Sequence, residues 1–171
     1  MITVATWITI LRILITIPVV VSLEMNQHIL GLILILVAGF TDFLDGWIAR
    51  RFNQVSDLGK FLDQIADKIL INAVLIELAV SGILWPWLVV IIVGRDTLIS
   101  GLRMFAASRQ EVIAANIWGK AKTVSQFAMV LLALITGTAP LLMASLQVLV
   151  LFLTVWSGYV YFKDSLAIWR G

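Results

Sequence analysis

Six long apolar stretches dominate this chain and restrict its fold more than any other feature. Each approaches the roughly 20 residues that a helix needs to cross a bilayer, and the fifth leaves room for an earlier start. The stretches cover residues 6–23, 29–49, 60–80, 88–107, 123–135 and 141–161. Because 61% of all residues are hydrophobic and only 13% are charged, the sequence predicts an all-α integral membrane protein with six transmembrane helices.

The breaks between these stretches are short, so we expect a single transmembrane domain over residues 1–171. The first stretch lacks a basic start and a small-residue cleavage pattern, which indicates a retained span and not a targeting peptide. The chain contains no cysteine, so disulfides and thiolate chemistry are excluded. Its net charge of +2 includes no basic tail, and we expect no nucleic-acid partner.

Lysine and arginine residues are distributed unevenly between the breaks. The breaks after the first, third and fifth stretches contain none, whereas those after the second and fourth stretches and the C-terminal end do contain them. These residues are Arg50, Arg51, Lys60, Arg109, Lys120, Lys122, Lys163 and Arg170. Because cytoplasmic loops carry an excess of such residues, both termini are predicted to face the cytoplasm.

Four aspartates occur at the predicted cytoplasmic ends of the second and third helices. Asp42 and Asp45 are three residues apart, and Asp63 and Asp67 are four apart, so each pair shares one helix face. Charged residues within membrane-length segments are costly and usually functional. Two pairs from neighbouring helices would converge on one cavity, as carboxylate metal sites do in helix bundles.

Four unpaired carboxylates in one cavity would repel each other, so the cluster predicts bound cations. Carboxylate oxygens are hard ligands that suit Mg²⁺ or Mn²⁺, and two such ions would balance the charge. Paired divalent ions about 4 Å apart recur in enzymes that displace phosphoryl groups. An ion or proton transporter and a non-catalytic scaffold are the alternatives. The position of the acids at one membrane face disfavours a transport path, and a scaffold has no use for them.

Eight residues between positions 42 and 67 match the signature of the CDP-alcohol phosphotransferase family, which the chain also resembles in its six-span layout. They are Asp42, Asp45, Gly46, Ala49, Arg50, Gly59, Asp63 and Asp67. The resemblance implies a transmembrane catalytic domain in which Asp42, Asp45 and Asp63 bind metal. It also implies that Asp67 is a metal ligand or the catalytic base, that Gly46, Arg50 and Gly59 line the CDP site, and that the protein is a homodimer.

Three later segments resemble one branch of this family, the bacterial phosphatidylglycerophosphate synthases. They are GRDTLISGLRMFAA at 94–107, GKAKT at 119–123 and SGYVYF at 157–162. The resemblance implies transfer of a phosphatidyl group from CDP-diacylglycerol to glycerol 3-phosphate, giving phosphatidylglycerophosphate and CMP, at the cytoplasmic side of a bacterial cell membrane. Gln64 and Asp96 replace the proline and glutamate typical of this branch, so cardiolipin synthase or an enzyme with another acceptor alcohol is an alternative.

The acceptor in that reaction carries a phosphate dianion, which requires cationic partners. Arg103, Lys120 and Lys122 are the candidates, followed by Arg109. The alternative is that these cations serve only membrane topology.

Three further charged residues lie within the apolar stretches, and each has two interpretations. Arg95 and Asp96 are adjacent and deep in the fourth stretch, where an internal ion pair competes with substrate binding as their role. Arg12 lies in the first stretch, where it could contact a lipid headgroup or the active site.

Overall fold

The structure is a computed structural model, and it is all-helical in the residues that it describes. The backbone is described for residues 4–51, 57–108, 116–136 and 139–169, and the side chains for 9–41, 65–66, 68–107, 116–135 and 139–163. The helices are α1 (Val4–Glu24), α2 (His28–Arg51), α3 (Asp57–Val80), α4 (Pro86–Ser108), α5 (Ile117–Thr136) and α6 (Pro140–Trp169). The described ranges contain no strand, and the prediction of six helices is confirmed.

All six helices are longer than their apolar stretches, and α5 and α6 exceed them the most. α5 begins at Ile117 because Asn116 caps it: the Asn116 Oδ1 atom accepts a 2.7 Å hydrogen bond from the Gly119 backbone N–H. α6 continues beyond residue 161 to Trp169, since no glycine or proline interrupts the polar segment there. Charged residues end the apolar pattern in both places, so hydrophobicity alone underestimates the helices.

The helices form two compact units, unit 1 (Met1–Ser81) and unit 2 (Gly82–Gly171). In unit 1, α1 packs against both α2 and α3. In unit 2, α6 packs against both α4 and α5. One helix in each unit therefore contacts the other two. The single domain expected over residues 1–171 stays a prediction.

A tight turn connects α1 to α2 and makes them antiparallel neighbours. The Gln27 backbone N–H donates to the Ser22 carbonyl at 2.8 Å, and Asn26 adopts a left-handed conformation with a φ of 58°. Beyond the turn, Gly31 lies against Leu23, and a Cβ atom at Gly31 would overlap the Leu23 Cδ2 atom. The backbones of α1 and α2 therefore approach closely there.

A side chain of α6 holds the start of α4. The Trp85 backbone N–H donates to the Gln147 Oε1 atom at 2.7 Å, and Gln147 is buried. Pro86 follows as the first helical residue, where its missing N–H removes no helix bond. The packing of α4 on α6 thus includes a polar link as well as apolar contacts.

Large apolar side chains are exposed on several helices. On α1, Leu11, Leu14 and Ile17 are all half exposed or more. Within the described residues, the segment Pro140–Lys163 is by itself long and apolar enough to cross a membrane, and His28–Thr41 is a shorter apolar helix. The six membrane spans and the cytoplasmic termini stay predictions.

Candidate functional site

The four signature aspartates lie on two helices of unit 1. Asp42 and Asp45 belong to α2, and Asp63 and Asp67 belong to α3. Because both segments are helical, spacings of three and four residues place each pair on one helix face, as the sequence predicts. The side chains of Asp42, Asp45, Gly46, Arg50, Gly59, Asp63 and Asp67 lie outside the described residues. Their metal and CDP contacts stay predictions.

The donor set at these positions consists of carboxylates, which fits a hard divalent cation such as Mg²⁺ or Mn²⁺. Among the side chains that the structure describes, no group of three or more His, Cys, Asp or Glu residues lies together. The four aspartates therefore stay the candidate ligands.

A polar cluster in unit 2 joins all three of its helices, and we call Arg95, Asp96, Lys122 and Ser157 the Asp96 cluster. The Asp96 carboxylate accepts from Arg95 Nη1 at 3.0 Å and from Lys122 Nζ at 2.5 Å. The second guanidinium nitrogen, Arg95 Nη2, donates to the Ser157 hydroxyl at 2.9 Å. The cluster links α4 to α5 through one carboxylate and α4 to α6 through one guanidinium.

Burial makes the Asp96 cluster a structural ion-pair network. Lys122 is only 1% exposed, so its ammonium needs the Asp96 carboxylate as a counter-charge. Gly119 and Gly158 lie beside Arg95: added Cβ atoms would be 3.7 Å and 3.5 Å from its side chain, which are ordinary van der Waals distances. Of the two interpretations of Arg95 and Asp96, the internal ion pair is the one that the structure contains.

Arg103 is held differently from Arg95, although both belong to α4. Its Nε atom donates to the Tyr161 hydroxyl at 3.0 Å, and its guanidinium carbon lies 5.4 Å from the centre of that ring. The hydroxyl is neutral, so this contact orients the guanidinium without cancelling its charge. Arg103 is half-buried and is therefore not sealed from solvent.

The predicted acceptor cations have different surroundings in unit 2. Lys120 is exposed, whereas Lys122, two residues later, is buried and bound to Asp96. Arg103 is bound to Tyr161. Arg109 lies outside the described residues. Within the described part of unit 2, Lys120 and Arg103 are thus the candidates whose charge no carboxylate neutralises, and their role in binding the acceptor stays a prediction.

The residues that complete these contacts were not identified from the sequence as individual partners. Ser157 and Tyr161 fall in the SGYVYF segment, where their spacing of four residues places both on one face of α6. That spacing of polar groups within an apolar helix is the signal that could have found them. Asn116 carried a second signal, because an asparagine before a helical stretch is a frequent cap.

The chain belongs to the CDP-alcohol phosphatidyltransferase family, whose model matches residues 2–158. Several relatives share one name, CDP-diacylglycerol–glycerol-3-phosphate 3-phosphatidyltransferase. The protein of that name from Bacillus subtilis (strain 168) is 40% identical over 144 residues, which are 81% of this chain and 74% of the relative. The one from Mycoplasma genitalium is 35% identical over 143 residues, 72% of this chain and 61% of the relative. The one from Rickettsia bellii (strain RML369-C) is 34% identical over 166 residues, 92% of each.

Proposed function

We propose that this protein transfers a phosphatidyl group from CDP-diacylglycerol to glycerol 3-phosphate and releases CMP, as a step of phospholipid biosynthesis. The observation that carries the proposal is the family match over residues 2–158 together with relatives of 34–40% identity that bear one enzyme name. The signature aspartates of α2 and α3 supply the residue types that this chemistry requires.

The protein is proposed to act as a homodimer within a bacterial cell membrane, with its termini and its site on the cytoplasmic side. Three features support the membrane setting: the high apolar content, the exposed apolar side chains of α1, and the long apolar segment of α6. Trp85 and Trp87 stack with ring centres 5.3 Å apart at the start of α4, a position suited to a membrane interface. The lipid substrate would reach the site from the bilayer, and the acceptor from the cytoplasm.

Each signature residue has a proposed role in the transfer. Asp42, Asp45 and Asp63 hold divalent cations, which when bound would polarise the phosphate and stabilise the leaving oxygen. Asp67 is either a further ligand of these cations or the general base that accepts the proton of the acceptor hydroxyl. The residues proposed to line the CDP site are Gly46, Arg50 and Gly59.

The acceptor hydroxyl attacks the lipid-side phosphorus of CDP-diacylglycerol. A new oxygen–phosphorus bond forms, the bond from that phosphorus to the bridging oxygen breaks, and CMP leaves with the electron pair. Arg103, Lys120 and Arg109 are the cations proposed to bind the acceptor phosphate, because a guanidinium or ammonium matches a dianion. Lys122 is proposed to support them from within the Asp96 cluster, since its ammonium is bound to Asp96.

A parallel assay with several acceptors tests the proposal. Purified protein would be given CDP-diacylglycerol in detergent micelles with Mg²⁺ or Mn²⁺ and, separately, glycerol 3-phosphate, serine, inositol phosphate or phosphatidylglycerol. We expect CMP and a phosphatidyl product with glycerol 3-phosphate, and loss of both products on adding a chelator or in the Asp67→Asn variant. A product from phosphatidylglycerol alone would instead identify a cardiolipin synthase, and ion flux without CMP would indicate a transporter.

A further inference from the structure

Arg12 carries a buried charge in the middle of unit 1. Its side chain is on α1, the helix that packs against both α2 and α3, and it is only 2% exposed. A guanidinium stays protonated in proteins, so burial of this residue requires an anionic partner. Arg12 does have an interaction partner in the structure. The register of α1 on α2 indicates which acid lies at its level.

The register begins at the turn, where Gly31 of α2 lies against Leu23 of α1. Moving four residues along each helix in opposite directions leads from this pair to Val19 and Ile35, and both are buried. A further step of three residues leads to Thr16 and Ala38, which are also buried. On both helices the buried positions are therefore separated by four and then three residues, as expected for two helix faces packed along their length.

The next step of four residues leads to Arg12 on α1 and to Asp42 on α2. The packed face of α1 continues this far, because Arg12 and, one turn further, Thr9 are each 2% exposed. The register therefore places the position of Asp42 opposite Arg12, and that of Asp45 opposite Thr9.

The other acids of unit 1 with a described side chain are poor partners for Arg12. Glu24 is on α1 itself, about 18 Å away at the helical rise of about 1.5 Å per residue, and it is exposed. Glu77 accepts a hydrogen bond of 3.2 Å from the Ser81 hydroxyl, near the end of α3. Of the acids on α2, Asp42 is thus the one whose position the register places opposite Arg12.

We propose that Arg12 is a positioning residue that forms an ion pair with Asp42. In this pair the guanidinium would hold the Asp42 carboxylate in one orientation and leave it able to bind a cation. It would also place a permanent positive charge beside that acid, which lowers the repulsion that Asp42 meets from other acids when no cation is bound. The part of this inference that concerns a cation rests on the proposed function, but the ion pair itself does not.

A double-mutant cycle on thermal stability tests the pair. Arg12→Met, Asp42→Asn and the double variant would be purified in detergent with EDTA, and their melting temperatures compared with the parent. Arg12→Met alone leaves Asp42 unpaired, and we expect a loss of about 5–15 °C. In the Asp42→Asn background the same change should cost less than half as much. If Arg12→Met does not fold, Arg12→Gln, which also removes the charge, takes its place in the cycle.

Thr16→Val is the matched control, because Thr16 is one turn along the same packed face, opposite Ala38. Its effect on the melting temperature should be the same in the parent and in Asp42→Asn. Equal losses for the Arg12 variant in both backgrounds would overturn the ion pair. Coupling of Arg12 to Asp45→Asn in place of Asp42→Asn would overturn the register.

Stabilisation by Mn²⁺ gives a second readout that a merely structural arginine would not change. Arg12→Lys keeps the charge but loses the planar fork that orients a carboxylate. The Mn²⁺ concentration for half-maximal stabilisation should therefore rise about 10-fold. An unchanged midpoint would contradict the positioning role. Undiminished Mn²⁺ stabilisation of Asp42→Asn would contradict the proposed metal role of Asp42, and the thermal cycle would still decide the ion pair.

Discussion

Units 1 and 2 have the same plan but opposite charge. In each, one helix contacts the other two: α1 in the first unit and α6 in the second. Unit 1 contains seven acidic and five basic residues, whereas unit 2 contains three acidic and seven basic residues. The proposed reaction needs both kinds of charge. Carboxylates bind the cations, and lysine or arginine side chains bind the anionic acceptor. The two units thus differ in the sign of their net charge but have the same arrangement of packed helices.

The carboxylates of the two units also differ in purpose. Asp96 of unit 2 is bound by two cations and helps to hold three helices together. The signature acids of unit 1 are proposed to bind cations that the chain does not supply, with Asp42 also paired to Arg12. Removing Asp45, Asp63 or Asp67 should therefore mainly cost activity, whereas removing Asp96 should mainly cost stability.

The largest effect should follow from Asp63→Asn in unit 1. Loss of one carboxylate ligand should reduce CMP release by about 10³-fold or more, because the bound cations contribute several kcal/mol to the transition state. The melting temperature without metal should not fall, since one repulsive charge is removed. Glu24→Gln, at an exposed acid of the same unit, is the control and should retain full activity. A fully active Asp63→Asn would remove the difference between the units.

Asp96→Asn should destabilise unit 2 by about 3–5 kcal/mol, because it removes a counter-charge from the buried Lys122. Thermal unfolding in detergent measures this loss. Asp96→Glu keeps the charge and should recover most of the stability. A variant with the parent melting temperature and no activity would place Asp96 in the chemistry instead.

Arg103→Gln should raise the KM for glycerol 3-phosphate about 10- to 100-fold, as expected for a lost hydrogen bond to a charged group. Tyr161→Phe removes the hydroxyl that orients Arg103 and should give a smaller rise in the same parameter. Lys163→Gln, at an exposed residue of α6, serves as the control. If only kcat fell in Arg103→Gln, the residue would act on the transition state and not on acceptor binding.

The smallest effects concern the packing of unit 1. Gly31→Ala should destabilise the protein by about 1 kcal/mol, because its Cβ atom has to displace Leu23. Gly39→Ala on the same helix meets open space and should stabilise it by about 0.5–1 kcal/mol. Equal effects of the two substitutions, measured by thermal unfolding, would contradict the close contact of α1 with α2 on which the register rests.

Local patterns predicted the helices and the placement of the signature. Apolar runs located all six helices, and spacings of three and four residues placed each aspartate pair on one face of a helix. Both predictions use residues that are close together in the chain, and the relative positions of such residues follow from helix geometry.

Pairings between distant residues could not be predicted in the same way. Lys122 binds Asp96 across 26 positions, and no local period determines which helices meet. The burial of Lys122 did have a local signal, because Gln126, Met129 and Ala133 follow it at helical spacing and all are buried. A lysine on a buried helix face indicates an internal counter-charge. The exposed Lys120 instead fits the excess of lysine and arginine in predicted cytoplasmic segments.

The order of synthesis gives the two central helices different positions in folding. α1 is made before α2 and α3, so these two helices can pack on it as they appear. α6 is made after α4 and α5, which have to wait for the residues, Ser157 and Tyr161 among them, that hold α4 in place. Because chains grow at about 5–20 residues per second, unit 2 remains incomplete for several seconds after unit 1 can assemble. Quality-control proteases should therefore recognise nascent chains of this protein mainly through α4 and α5.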